Sequence, residues 1–170
     1  MFYQNDPAAP ADFQHYACLF SCLLRSRETI LGKAWGIADG VAAWKAARSA
    51  GIISGDLNGD GDFDDPGEDE IRKYPELFRL LGLPLREIAP ESLGLPLGFD
   101  HNGASRILPV IEALDLSRFW VIEAWRWKIT HFVCGDGCGQ RPVIYDPIRG
   151  GSLTVANGTI ESLRIFEIVL

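Results

Sequence analysis

The chain has 170 residues, 47% hydrophobic and 23% charged, enough apolar material for one globular domain, 1–170, built around a single core. A formal net charge of -7 and a pI near 4.9 argue against nucleic acid or an anionic membrane as partner, because phosphates are held by clustered Lys and Arg and no such cluster occurs. The opening MFYQNDPAAPADF lacks the basic start and apolar run of a signal peptide, and no window reaches the roughly 18 apolar residues of a membrane span, so the expectation is a cytoplasmic protein without membrane insertion.

In chain order, the first helical pattern is CLFSCLLRSRETIL, where Leu19, Cys22, Leu23 and Ile30 recur at helical spacing. GIADGVAAWKAARSAG continues with helix formers and stops at Gly51. After an acidic segment, EDEIRKYPELFRLLGL predicts a helix from about Glu68, bent at Pro75 and ended by Gly82 and Pro84. SRILPVIEALD, 105–115, predicts a shorter one. From Arg118 the pattern changes to strands: RFWVIEAW, ITHFVCG, PVIYD, SLTV and LRIFEIVL, rich in β-branched and aromatic residues and separated by the turn clusters GDGCGQ, DPIRGG and ANGT. Short loops favour antiparallel neighbours, so the fold class is α+β: N-terminal helices on a C-terminal antiparallel, meandering sheet.

Four cysteines without a secretion signal read as free thiols or metal ligands. Cys18 opens the first helix, where the macrodipole and unpaired N–H groups favour an anionic thiolate; Cys22, one turn further in beside Leu23 and Leu24, suits packing. Of the three histidines, His131 sits in the apolar strand ITHFVCG, where it is either a core ring satisfied by a carbonyl or a general base. The next strand ends at Asp146, and neighbouring antiparallel strands can set a histidine beside an aspartate that fixes its tautomer. Trp120, Trp125 and Trp127 read as sheet packing, with a cleft wall as the other possibility.

CLFSCLL behind a glutamine, THFVCGDG and VIYDPIRGG together resemble the papain-like cysteine peptidases, closest to the bacterial peptidases that process bacteriocin leaders. The resemblance covers both ends of the chain and not the middle. It implies the papain-like fold, a nucleophile at Cys18, a base at His131, an orienting carboxylate at Asp146, and a glutamine completing the oxyanion hole. Gln14 takes that last place by proximity to Cys18, and Gln4 competes for it. The implied reaction is hydrolysis of an amide bond in a peptide or small amide. Alternatives are a non-catalytic module of the same fold, or a zinc-stapled domain using Cys18, Cys22, Cys134 and Cys138.

The segment GDLNGDGDFDDPGEDE, 55–70, reads as an inserted metal loop. Asp56, Asn58 and Asp60 alternate as oxygen donors, Gly61 falls where such a loop turns sharply, and Asp62 and Asp64 follow at the seventh and ninth places. Glu68 closes the loop one residue later than the standard spacing. The pattern resembles EF-hand-like and dockerin-like calcium loops and implies bound calcium as a structural staple, the plainer reading being a solvated acidic turn.

Overall fold

The computed structural model describes residues 4–61, 67–93, 117–126, 130–135, 143–148, 151–154 and 159–170. The expected helix over 105–115 lies outside them, as do Asp62, Asp64, Trp127 and Cys138. The chain is α+β, with helices first and an antiparallel sheet after them.

Helix α1, Ala11–Tyr16, precedes the helix expected first, and α2, Cys18–Leu31, follows it after a break at Ala17. The break is local: Ala17 N–H still donates to Phe13 O, and Ala17 O accepts from Ser21 N–H. Phe13, Ala17 and Phe20, at helical spacing across the join, are all buried. Gly32, at φ 64°, ends α2 in the left-handed conformation that glycine adopts without a Cβ penalty. In α3, Ile37–Ser49, Trp44 closes an edge-to-face cluster with Phe13 and Phe20, ring centroids 5.7 and 5.2 Å away.

The helix expected from Glu68 begins only at α4, Tyr74–Leu81. Residues leading into it are held extended instead: Ile71 bridges Ile53, Ser54 N–H donates to Glu70 O, and Arg72 N–H donates to Ile52 O. Pro75 therefore lies in the first turn of α4, where its missing N–H costs nothing, and bends no helix. A short strand β1, Leu85–Glu87, was not signalled by the sequence pattern, and a 3-10 turn at Pro90–Leu93 follows it.

The remaining strands are β2, Phe119–Arg126; β3, Thr130–Gly135; β4, Val143–Asp146; β5, Gly151–Thr154; and β6, Thr159–Ile168. Their order is β1-β6-β2-β3-β4-β5, antiparallel throughout. β2 to β5 form the expected meander, but β6 departs from it, returning to the far side of β2. Side-chain alternation sorts the sheet into two faces. Trp120, Ile122, Cys134, Tyr145 and Phe166 join the helices in the main core, while Phe119, Val121 and Ile165 cluster separately with Ile88, Leu93 and Leu163. Among the described residues, no helix is long and apolar enough to cross a membrane.

Candidate functional site

The strand register brings His131 and Asp146 together. Cys134 of β3 faces Tyr145 of β4, so carrying that register on by one sets Asp146 opposite Val133. Val133 and His131 share a face by period two, which makes His131 and Asp146 diagonal neighbours on the side opposite Tyr145. Both residues are buried, and the ring and the carboxylate meet at 2.9 Å, Nε2 to Oδ1. The same Oδ1 accepts the N–H of Ile148 at 2.9 Å, an Asx turn across Pro147 that fixes the carboxylate where the strand ends.

The second side-chain hydrogen bond of the imidazole is with Cys18, the first residue of α2. With Nε2 turned to Asp146, Nδ1 is the nitrogen left for the sulfur. Burial pushes the imidazole towards its neutral form, but the hydrogen bonds and charges of Asp146 and Cys18 outweigh it and carry the ring's pKa from 6.5 up to about 9. An imidazolium between a carboxylate and a half-exposed sulfur at a helix start is the arrangement expected of an activated thiol. His15, by contrast, is on the surface.

The two glutamines are placed differently. Gln14 Nε2 donates to the carbonyls of Ala9 at 2.7 Å and Asp6 at 3.2 Å, so its two protons hold the N-terminal segment together. Gln4 is buried, its backbone N–H donates to Pro147 O at 2.7 Å, and its Nε2 donates to Gln14 O at 2.8 Å. Gln4 thus spans from the turn after Asp146 to the helix leading into Cys18, with one amide N–H uncommitted and a buried Oε1 without a partner. Gln14, favoured by proximity in sequence, is committed to the N-terminal segment, whereas Gln4, remote along the chain, lies against the Asp-Pro turn in space.

Cys22 and Cys134 are both buried in the main core. Cys22 Sγ donates to Phe132 O at 3.5 Å and Cys134 Sγ to Cys22 O at 3.8 Å, so each behaves as a thiol donor fastening α2 to β3. Burial, then the hydrogen bond with Cys134, pushes the Cys22 thiol well above its ordinary range. Trp120 is packed in the core, as its strand pattern suggested.

The acidic loop is organised by its own side chains. Asp56 accepts the N–H groups of Gly59 at 2.5 Å and Gly61 at 2.9 Å; Asn58 Oδ1 accepts Asp60 N–H at 3.0 Å, and Asn58 Nδ2 donates to Asp60 Oδ2 at 2.9 Å. Gly59 and Gly61 take φ of 83° and 92°, which turns the chain back on itself. Glu68 reaches across from the far end, its Oε1 accepting Leu57 N–H at 2.5 Å while Oε2 is buried and unpartnered. Asp69 next to it, at φ 54°, also has a buried Oδ1 without a partner, and burial pushes its carboxyl up to about 8 despite nearby Arg48. Among the described residues, no three His, Cys, Asp or Glu side chains already converge as a metal cluster.

Compared with models of known families, with characterised proteins and with solved structures, the chain has no significant match to any.

Proposed function

We propose that the protein is a papain-like cysteine peptidase or amidase that hydrolyses an amide bond through Cys18, His131 and Asp146. The observation that carries this reading is the imidazole of His131, hydrogen-bonded to Asp146 on one side and to Cys18 on the other, at the start of a helix. Those are the parts acyl transfer needs: a nucleophile, a base that holds its proton, and a carboxylate that orients the base.

In this mechanism the Cys18 thiolate adds to the substrate carbonyl, and the charge that develops on oxygen is met by the Cys18 backbone N–H and the uncommitted N–H of Gln4. The tetrahedral adduct collapses as His131 delivers its proton to the departing amine, leaving a thioester on Cys18. Water, deprotonated by the now neutral His131, displaces the thiol and releases the acid. Asp146 keeps the ring facing the sulfur throughout.

The 55–70 loop would hold calcium through Asp56, Asn58, Asp60 and Glu68, with Asp62 and Asp64 as further donors. The chemistry supplied is charge neutralisation that closes an acidic turn. The buried, unpartnered Oε2 of Glu68 supports that fit, since a desolvated carboxylate oxygen is costly without a cation or donor.

The peptidase reading predicts that iodoacetamide alkylates Cys18 fast at neutral pH, with Cys22 and Cys134 left unmodified, and that His131→Ala removes the fast phase. Slow, equal reaction of the thiols would leave a non-catalytic module of the same fold.

A further inference from the structure

Two thiols outside the proposed mechanism, Cys22 and Cys134, lie where the nucleophile and the base are anchored. Cys22 is one turn beyond Cys18 on α2, and Cys134 follows His131 on β3, so each shares an element with one of the reacting groups. Both are fully buried in the main core. Two hydrogen bonds cross there in opposite directions: Cys22 Sγ donates from the helix to Phe132 O at 3.5 Å, and Cys134 Sγ donates from the strand to Cys22 O at 3.8 Å. The accepting carbonyl on β3 belongs to the residue immediately after His131.

A thiol that only fills space behaves as a small apolar side chain and needs no particular partner. These two meet main-chain carbonyls instead, and a directional bond to main chain fixes where the helix lies along the strand as well as how near. With a donor on each element, sliding or turning α2 against β3 strains both bonds together. The helix runs unbroken from Cys18 to Leu31, so a hold at Cys22 is passed one turn back to Cys18. The Cys18–His131 hydrogen bond thus forms between two elements whose relative place is set just behind it.

We infer that Cys22 and Cys134 are positioning residues for the reaction: their crossed bonds set the place of α2 on β3 and so seat Cys18 against His131. That role rests on the reading of Cys18 as the nucleophile. Packing and positioning rank two substitutions in opposite order, since alanine and serine are close in size and differ by a hydroxyl. For packing alone alanine is the better, because a hydroxyl in an apolar core is costly to desolvate. For positioning serine is the better, because it still donates to Phe132 O.

The test uses the full chain and its Cys22→Ala, Cys22→Ser, Cys134→Ala and Cys134→Ser variants, read by melting temperature and by the rate at which iodoacetamide modifies Cys18 at pH 7 and pH 10, the site located by peptide mass mapping. Cys22→Ala should slow Cys18 at pH 7 about tenfold, within the ~10²-fold that a small misplacement of reacting groups can cost, and Cys22→Ser should recover most of that rate. At pH 10, above the value of about 9 at which the His131 ring gives up its proton, the three chains should react alike. The two Cys134 variants should repeat the order at the second bond, and they decide the matter if a variant at 22 fails to fold. An unmodified rate at pH 7 in both alanine variants would overturn the positioning role and leave packing. Slowing that is equal at both pH values, or that is worse with serine than with alanine in step with melting temperature, would overturn it as well. Slow Cys18 alkylation in the unmodified chain would bring down the nucleophile reading itself, and the positioning role with it.

Discussion

At the scale of single residues, His131 concentrates the chemistry. Its pKa in the fold, about 9, lies above the ordinary 6.5, so the protonated ring's contribution is fully present below about pH 6.5 and is lost as pH rises through about 9. A shift of that size corresponds to on the order of 3 kcal/mol. Urea unfolding of the unmodified chain and of Asp146→Asn should therefore differ more at pH 6 than at pH 10, and an equal gap at both would discount the pair. The glutamines separate by a different measurement. On the proposed peptidase reading, Gln4→Ala lowers amide hydrolysis about 10²- to 10³-fold, the usual cost of an oxyanion donor, with little change in Cys18 alkylation. Gln14→Ala should instead cost stability, because two backbone carbonyls lose their donor. The Cys, the His and the Asp were legible in the sequence, since each residue type occurs in a local pattern that only a few roles fit. Gln4 was harder to place, because nothing in FYQNDP announces that its backbone will dock on the Asp-Pro turn.

At the scale of elements, the turn at Gly61 and the end of the following helix at Gly82 were legible, and the start of that helix was not. Asp, Asn and Gly at alternate positions dictate the turns at Gly59 and Gly61 through backbone sterics alone. The helix expected from Glu68 starts only at Tyr74, because the pairing of Ile53 with Ile71, a contact with the other side of the loop, outweighs local propensity there. Replacing Gly61 by Ala should destabilise the chain by about 1 kcal/mol by forcing a Cβ into a left-handed position, measured by chemical unfolding. Asp60→Ala should abolish any calcium-dependent rise in melting temperature while leaving the metal-free melting temperature nearly unchanged. A calcium-dependent rise that survives Asp60→Ala would sink the calcium assignment.

At the scale of the whole molecule, α2 joins the two halves: Cys18 reaches the His-Asp pair, and Cys22 and Cys134 fasten the helix to β3 behind it. The sheet is held to the helical layer elsewhere by Phe166, which packs on Tyr74 and Phe78 of α4 with centroids 5.1 Å from each. Phe166→Ala should cost about 3–5 kcal/mol in chemical unfolding, a large share of the ~5–15 kcal/mol typical of a domain. The α+β class was legible because strand and helix periods occupy separate stretches of chain, whereas the place of β6 was not, since strand pattern carries no record of partner.

That placement of β6 has a consequence for how the protein comes into being. β2, the strand on which His131's strand rests, gains its second neighbour only from the closing stretch of the sequence. During synthesis the thiol emerges early and the His-Asp hairpin late, yet β2 keeps an open, apolar edge until Thr159–Ile168 has left the ribosome. A product terminated before Thr159 would therefore expose that strand edge, and its solubility should fall below that of the chain that includes β6.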